Sequence, residues 1–307
     1  MAAVTPELIK QLREATNAGL LDCKKALTEA DGDMEGAIEW LRKKGLSKAA
    51  KVADKIAAEG AISIKIADDF KSGTVTEVNC ETDFVAKNDN FKSFITEMAE
   101  TIHVGGYADM DAFRNHKFGA NSFEERMGEA VSKMGEKIEV RRFATFKVGA
   151  NGVVNGYLHA NGRVGVVVAI ECDSAKTADA VREFARDIAM HAAAMKPVYL
   201  DEAAVPADEI AKEREIAIEQ LKKEGKPEAM LEKIVPGKIK KFIQESTLVG
   251  QSFVKDDKKS VAEALSAEAK AAGGTAKLVG FARFEVGEGI AKKGCSFAEE
   301  VAAQTQR

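Results

Sequence analysis

The sequence lacks the features that mark several common classes of protein. No apolar stretch of about 18 residues is present, so we expect no membrane-spanning helix. The four cysteines lie far apart and form no Cys-x-x-Cys pair, which fits free thiols in a reducing compartment better than disulfides or zinc ligands. No signal or transit peptide is apparent at the amino terminus. We therefore expect a cytoplasmic protein.

An excess of positive charge is also lacking. The 45 Lys and Arg residues face 49 Asp and Glu residues, giving a formal net charge of -4 and an isoelectric point near 5.8. Nucleic-acid-binding proteins normally carry a basic balance or a basic face, so no direct binding of nucleic acid is expected. The four histidines have no metal-ligand spacing, and no glycine-rich run is followed by Lys-Ser or Lys-Thr. We expect no metal site, no phosphate loop and no cofactor.

The amino-terminal 1–55 segment predicts three short helices and a tether. Thr5-Pro6-Glu7 combines an N-cap, a proline at the first helical position and an acid in the first turn. Gly45 is predicted to end the third helix, before a helical or flexible tether rich in Lys and Ala. Such a bundle resembles ubiquitin-associated domains, which bind partners through the first connector and the third helix. A structural cap is the alternative.

An internal repeat of a β-hairpin followed by a helix is predicted in the core. Segments such as Thr74–Asn79 alternate as half-buried strands do, and apolar residues then recur at helical spacing. The same plan recurs about ninety residues later, around the turn signal Asn161-Gly162. When Cys80 is aligned on Cys172, the apolar positions of the two copies coincide.

Local signals predict the remaining elements. Residues 123–134 form an amphipathic helix, and strands are expected at 138–146, 247–254 and 277–286. The first of these strands should leave Arg141 to solvent or a partner. A charged segment predicts an antiparallel two-helix arm, in which Pro236 should kink or break the second helix.

We therefore expect an α+β fold with antiparallel sheets. Its predicted parts are the ubiquitin-associated-like three-helix bundle with its tether at 1–55, core half 1 at 56–146, core half 2 at 147–206 and 245–286, the coiled-coil arm inserted at 207–244, and a carboxy-terminal module at 287–307 with a short acidic helix at 297–304.

The connector after the first hairpin, Cys80-Glu81-Thr82-Asp83-Phe84, sets a large aromatic residue among polar ones. Such a residue is either an anchor that folds back onto its own core or a plug for another protein. The second copy has Asp173-Ser174-Ala175-Lys176 at the matching positions, so the repeat folds without the phenylalanine. Both interpretations stay open, because two diverged copies can fill local gaps differently.

A catalytic site is not predicted. A thiol enzyme needs a nucleophile, a base and an orienting group, for which Cys80, Asp83 and His103 are the available set. Cys80 aligns on Cys172, however, which favours a small packed residue. We expect a binding protein without covalent chemistry. An adaptor that binds through residues 1–55 and a thiol enzyme remain as alternatives.

Five segments carry a resemblance to a known family. They are Leu12–Thr16, Leu21–Leu27, Ala57–Gly60, Glu77–Ala86 and Phe284–Gly289. These segments resemble signatures of the bacterial elongation factor Ts family, the guanine-nucleotide exchange factors of elongation factor Tu. The resemblance covers almost the whole chain, and the Thr-Asp-Phe run within its long context is highly specific.

The resemblance implies a partner and a mechanism. In the family, the bundle and the first core half grip the nucleotide domain of elongation factor Tu, and the second half contacts a distal domain. The phenylalanine matching Phe84 inserts between helices of the nucleotide domain, accompanied by the aspartate matching Asp83. The magnesium site and phosphate loop are disturbed, and GDP leaves so that GTP can bind.

The same resemblance implies the contact residues. The exchange site is implied at Thr82, Asp83, Phe84 and Val85, and further contacts with elongation factor Tu, GDP-bound or nucleotide-free, are implied at Leu20, Leu21, Lys24, Met134, Gly135, His159 and Val254. The arm at 207–244 is implied in dimerisation in some family members and in partner contact in others, so a homodimer is an open expectation.

Overall fold

The computed structural model describes residues 4–16 and 18–291 and combines helices with antiparallel sheets. The α+β class is therefore confirmed. The helices are α1 (Pro6–Thr16), α2 (Leu20–Glu29), α3 (Met34–Val52), α4 (Asp83–Lys87), α5 (Asp89–Gly105), α6 (Met110–Arg114), α7 (Phe123–Met134), α8 (Ala175–Ala180), α9 (Arg182–Met195), α10 (Ala207–Lys223), α11 (Glu228–Ser246) and α12 (Val261–Ala271). The strands are β1 (Glu59–Ile66), β2 (Ser72–Cys80), β3 (Ile138–Lys147), β4 (Gly152–Leu158), β5 (Val164–Cys172), β6 (Ser252–Phe253), β7 (Asp256–Ser260) and β8 (Ala276–Glu285). The predicted helix at 297–304 lies outside the described residues.

Two three-stranded sheets have the same construction. Their strand orders are β1-β2-β3 and β4-β5-β8, and all pairs are antiparallel. Each sheet has a bulge at the equivalent place, opposite Glu77 and Val78 in β2 and opposite Ala169 and Ile170 in β5. The two copies thus share strand order, direction and local irregularity.

The alternation of β5 explains how the core is layered. Val166, Val168 and Ile170 face α8, α9 and α12 in one apolar cluster, whereas Val167 and Ala169 face the other sheet in a second cluster. Side chains on a strand point alternately to opposite faces, so each sheet buries one face under helices and the other against its partner sheet. Helices α5 and α7 cover the outer face of the first sheet.

The third helix of the bundle does not end at Gly45; this prediction is wrong. Helix α3 continues to Val52 and crosses α7 where Gly45 and Gly128 meet, so that a Cβ atom at Gly128 would lie 2.9 Å from the Gly45 carbonyl carbon. The glycine therefore permits close approach of two helices. The bundle is joined to the core by a continuous helix.

Two further expectations, on the arm and on the strand that follows it, need correction. Pro236 was expected to kink or break the second helix of the arm; the break is wrong, because α11 runs through Pro236 from Glu228 to Ser246, with Val235 and Ile239 buried in the seam with α10. The strand at 247–254 is reduced to the two residues of β6, Ser252–Phe253, which pair with β7; Leu248 lies outside this strand and is buried in the apolar cluster of the second sheet. Among the described helices, none is long and apolar enough to cross a membrane.

Arg141 is not left to solvent or a partner. The bulge in β3 makes Arg141 the extra residue, since Glu77 pairs with Arg142 and Val78 with Val140. The Arg141 guanidinium donates to the buried Glu77 carboxylate at 3.0 Å and to the carbonyl oxygen of Glu288 at 2.5 Å. Its side chain therefore joins the first sheet to the segment that follows β8.

We predict that Gly128→Ala lowers the stability of the protein. An alanine in a helix is usually favoured over glycine by about 1 kcal/mol, but the new Cβ would press on the backbone of α3, and overpacking of this kind costs about 1–3 kcal/mol. Gly237→Ala in α11 is the matched control, because no atom lies within 4 Å of its added Cβ. Urea unfolding should show a lower midpoint for Gly128→Ala and an equal or higher one for the control; a rise in both would contradict the crossing.

Candidate functional site

The connector after β2 is a capped turn that opens a short helix. Strand β2 ends at Cys80, and α4 begins at Asp83. Thr82 is the N-cap, and its hydroxyl oxygen accepts a hydrogen bond from the backbone N–H of Val85 at 3.3 Å. Val85 itself packs against the first core. The cap and this apolar contact hold both ends of the first turn.

Phe84 points away from the core. Its side chain is 82% exposed, whereas the neighbouring Val85 is half-buried. The interpretation of Phe84 as an anchor folded back onto its own core is therefore wrong. Burying a phenylalanine side chain is worth about 1.5–3 kcal/mol, and the free chain forgoes this gain. An aromatic ring presented in this way offers a contact to another molecule.

Asp83 lies on the solvent side of the same turn. Its carboxylate forms an i,i+4 ion pair with the Lys87 ammonium at 2.6 Å. The hydrogen bond from Lys87 lowers the pKa of Asp83, so the aspartate is ionised at neutral pH. A negative charge thus stands beside the exposed ring.

Glu81 and Glu136 brace this turn, and sequence reasoning missed both of them as site residues. The Glu136 carboxylate accepts from the backbone N–H groups of Glu81 and Thr82 at 3.1 and 3.0 Å and from the Thr82 hydroxyl at 2.6 Å. In return, the Glu81 carboxylate accepts from the backbone N–H of Lys137 at 2.7 Å and from the Lys55 ammonium at 2.9 Å. Glu136 follows the implied contact pair directly in sequence, which is the one local signal that could have indicated it.

Met134 and Gly135 connect the turn to the bundle. Gly135 ends α7 in the left-handed conformation, with φ of 77°, and Glu136 follows it. Met134 and Gly19 both line a cavity of about 570 Å³ between the bundle and the core. Helix α2 starts directly after Gly19, so Leu20, 56% exposed, begins close to the end of α7.

The structure thus brings most of the predicted contacts to one end of the molecule. Leu21 is 80% exposed beside Leu20, and Lys24 is exposed on the next turn of α2. The start of α2, the end of α7 and the turn before α4 are linked by the cavity and by the Glu136 hydrogen bonds. This end presents two leucines, a phenylalanine, a lysine and an aspartate to solvent.

The other two predicted contacts belong to the second copy. His159 lies in the β4–β5 hairpin, where its ring hydrogen-bonds to the Tyr157 hydroxyl at 3.0 Å and stays exposed. Val254 is 50% exposed in the turn between β6 and β7. The predicted contacts therefore form two groups, one on the bundle and the first copy of the repeat and one on the second copy.

A buried histidine fixes the position of Val254. His191 Nδ1 accepts from the backbone N–H of Val254 at 3.1 Å, and Nε2 donates to the Gln251 side chain at 3.0 Å. Burial lowers the pKa of His191, which keeps the ring neutral and able to accept. Lys255 adds an ion pair with Asp187 on α9 at 2.6 Å. The β6–β7 turn is thereby attached to α9 at two points.

The structure does not assemble the thiol, acid and base of a hydrolase. Burial raises the pKa of Cys80 to about 12, and its thiol donates to the Thr82 carbonyl oxygen at 3.1 Å. His103 instead hydrogen-bonds to Ser72 and Thr74. Among residues 4–16 and 18–291, no group of three or more His, Cys, Asp or Glu side chains is arranged to hold a metal ion.

Comparisons with known proteins agree on one family. The family model described as Elongation factor TS matches residues 81–288. Over 304 residues, and 99% of each chain, the sequence is 58% identical to an Elongation factor Ts of Nautilia profundicola. It is 53% identical over 302 residues to that of a Nitratiruptor species, covering 98% of this chain and 99% of the relative. It is 46% identical over 303 residues to that of Thioalkalivibrio sulfidiphilus, covering 99% of each. With this extent of similarity, and with the family's Thr-Asp-Phe run at the exposed turn, the chain belongs to the elongation factor Ts family of translation elongation factors.

Proposed function

We propose that this protein is the guanine-nucleotide exchange factor of elongation factor Tu and that it acts in the cytoplasm without covalent chemistry. It binds the GDP-bound partner, speeds the release of GDP and leaves a nucleotide-free complex that GTP can enter. The observation that carries the proposal is Phe84, an aromatic ring 82% exposed on a capped and braced turn. Membership of the elongation factor Ts family supports the choice of partner.

In the proposed mechanism, Phe84 inserts between helices of the partner's nucleotide domain. The ring gains the burial that it lacks in the free protein, and this gain drives the insertion. Asp83 enters with it and acts either by hydrogen bonding at a helix terminus or by repelling phosphate charge. The helices move, and the magnesium ion that bridges the GDP phosphates to the phosphate loop loses its position. Removing one of the largest local charges weakens GDP binding.

Linkage explains why no catalytic residue is needed. If the exchange factor binds the nucleotide-free partner more tightly than the GDP-bound one, it weakens GDP binding by the same factor. The interaction at Phe84 therefore has to be stronger in the nucleotide-free complex. Contacts that are equal in both complexes, such as a rim contact from Lys24, hold the partner without favouring release.

The two groups of exposed residues support a two-point grip. The group formed by Leu20, Leu21, Lys24, Met134, Gly135 and Thr82–Val85 would bind the nucleotide domain, and His159 with Val254 would bind a distal domain. We propose the same division of the chain into segments as the sequence predicted: the bundle with its tether at 1–55, core half 1 at 56–146, core half 2 at 147–206 and 245–286, the arm at 207–244 and the carboxy-terminal module at 287–307. The contact of α3 with α7 supports binding by bundle and core together rather than by residues 1–55 as a separate adaptor.

We predict that Phe84→Ala removes most of the exchange activity. Loss of an interface hot spot of about 2 kcal/mol corresponds to a roughly 30-fold slower factor-dependent release of GDP. Because the ring is exposed, the stability of the free protein should change by less than about 0.5 kcal/mol. Stopped-flow release of fluorescent GDP from elongation factor Tu measures the first effect, and urea unfolding measures the second.

Val104→Ala is the matched control for this experiment. Val104 is a large apolar side chain, 75% exposed on α5 in the same copy of the repeat. The Val104→Ala variant should speed GDP release from elongation factor Tu as much as the wild type does. Equal rates for Phe84→Ala and the wild type would refute the wedge, and a wild type that does not speed release would refute the exchange function.

Cys80→Ser should keep exchange within about threefold of the wild type. A thiol with a pKa of about 12 is only about one part in ten thousand thiolate at pH 8, and the thiolate is the reactive form. The substitution should therefore affect only the packing of this buried position, and a small fall in the urea midpoint of unfolding is expected. Abolished exchange by a folded Cys80→Ser protein would revive the thiol enzyme.

We also propose a homodimer through 207–244. Leu221, Leu231, Val235 and Ile239 fill the seam between α10 and α11, yet Ile216 on α10 remains 48% exposed, and this supports a second contact. Ile216→Glu should lower the fraction of dimer in sedimentation without changing the helix content. A wild type that sediments as a monomer at all concentrations would exclude this role of the arm.

A further inference from the structure

The strongest unassigned arrangement is the pair of carboxylates behind the Phe84 turn. Glu136 accepts three hydrogen bonds from the backbone and side chain of Glu81 and Thr82, all between 2.6 and 3.1 Å. Glu81 reaches back and accepts from the backbone N–H of Lys137 at 2.7 Å. The two carboxylates thus cross, each binding the backbone of the other's segment.

We propose that Glu136 is a positioning residue for exchange, which holds the backbone of Glu81 and Thr82 so that Phe84 is presented at a fixed place. The inference rests on the proposed exchange function for its consequence, although the hydrogen bonds themselves belong to the free protein. Glu136 hydrogen-bonds to Glu81 and Thr82 rather than to Phe84, so it acts through the turn.

The second copy of the repeat separates structural roles from functional ones. Asp173 stands where Glu81 stands, and its carboxylate accepts from the backbone N–H of Thr275 at 2.9 Å, as Glu81 accepts from Lys137. Ser174 stands where Thr82 stands and caps its helix through the N–H of Thr177 at 3.2 Å. The acid and the cap recur in both copies, which favours a structural role for them in the turn.

Glu136 has no counterpart in the second copy. Cys80 pairs with Ile138, and Cys172 pairs with Ala276, so the position matching Glu136 is Gly274. A Cβ atom at Gly274 would collide with the side chains of Asp173 and Thr177. The side chains of Asp173 and Thr177 fill that place instead, and the N–H of Asp173 donates to the Thr275 carbonyl oxygen at 3.1 Å.

The turn of the repeat therefore folds without a carboxylate at this position. The copy that carries Glu136 is also the copy that carries the exposed Phe84. In the second copy, the position matching Phe84 is occupied by Lys176. Two N–H groups and one hydroxyl bound to an ionised acceptor form charge-assisted bonds, which are stronger than bonds between neutral groups. They fix the turn without covering Phe84.

Glu136 also links two parts of the proposed interface. It follows Met134 and Gly135 at the end of α7, so its hydrogen bonds to Thr82 join that end to the start of α4. The two contacts would then meet the partner at a fixed separation. Preorganisation of this kind reduces the ordering cost of binding.

The first test measures the free protein. Glu136→Ala removes the acceptor, and the amide protons of Glu81 and Thr82 should exchange with solvent at least about tenfold faster, as followed by NMR. The amide of Asp173 is the internal control and should not change. Glu136→Gln is the rescue, because its carbonyl oxygen can accept from both N–H groups while its NH₂ donates to the Thr82 hydroxyl. If the amide protons of Glu81 and Thr82 exchange with solvent at the wild-type rate in Glu136→Ala, the inference is wrong. This outcome does not depend on elongation factor Tu.

The second test measures GDP release from elongation factor Tu in a double-mutant cycle. Glu136→Ala should slow factor-dependent release about tenfold, and Glu136→Gln should stay within about threefold of the wild type. Because Glu136 acts through the turn that carries Phe84, adding Glu136→Ala to Phe84→Ala should slow release by less than about twofold further. A merely structural loss would be the same in both backgrounds.

The outcomes separate the two proposals. If the wild type speeds GDP release and Glu136→Ala does so equally, or if its effect persists in full beside Phe84→Ala, the positioning role is wrong and the exchange function stands. If the wild type has no effect on release, the exchange function is wrong, and the amide experiment alone decides whether Glu136 orders the turn. Should Glu136→Ala fail to fold, Glu136→Asp keeps the charge and withdraws the carboxylate by one methylene, and it must show both changes to a smaller degree.

Discussion

The fold depends on one buried carboxylate between its two sheets. Glu77 is fully buried and accepts from Arg141 at 3.0 Å, from Arg142 at 2.6 Å and from the backbone N–H of Gly287 at 2.8 Å. A charge removed from water is tolerated only when such partners compensate for its lost hydration. Gly287 has φ of 73°, and a side chain there would strike the Ala58 carbonyl oxygen, so glycine is required. The first sheet and the end of β8 are thereby joined at one point.

This junction gives the proposed interface its geometry. Phe84 belongs to the first copy and Val254 to the second, and the contact between the sheets sets the distance between them. Val254 is held by the neutral ring of His191, and Phe84 stands on a turn tied to Glu136. In the proposed function, these attachments hold the two contact points at a set separation when the partner binds.

Local patterns predicted the fold where local forces decide it. The helix at 123–134 was predicted with its observed ends, because Ser122 and Glu125 form a capping box and Gly135 ends the helix. Expectations failed where a distant segment decides. Gly45 was predicted to end α3 because glycine is common at helix ends. Its actual role, close contact with Gly128 of α7, could not be predicted because the two residues are remote in sequence. In the candidate site, the residues alone left the exposure of Phe84 open, and only the family resemblance implied it. The role of Glu136 was missed because it depends on a fold that brings two turns together.

An exposed aromatic ring has to be held by something other than its own burial. Apolar contacts could fix Phe84 only by covering the surface that a partner is proposed to take up. A helix of five residues cannot order itself either, since helix nucleation is unfavourable. Directional hydrogen bonds to the backbone solve both problems, because Glu136 and the Thr82 cap order the main chain from behind and leave the side chain free. The polar residues that sequence reasoning treated as a connector are therefore what allows one hydrophobic side chain to remain in water at a defined place.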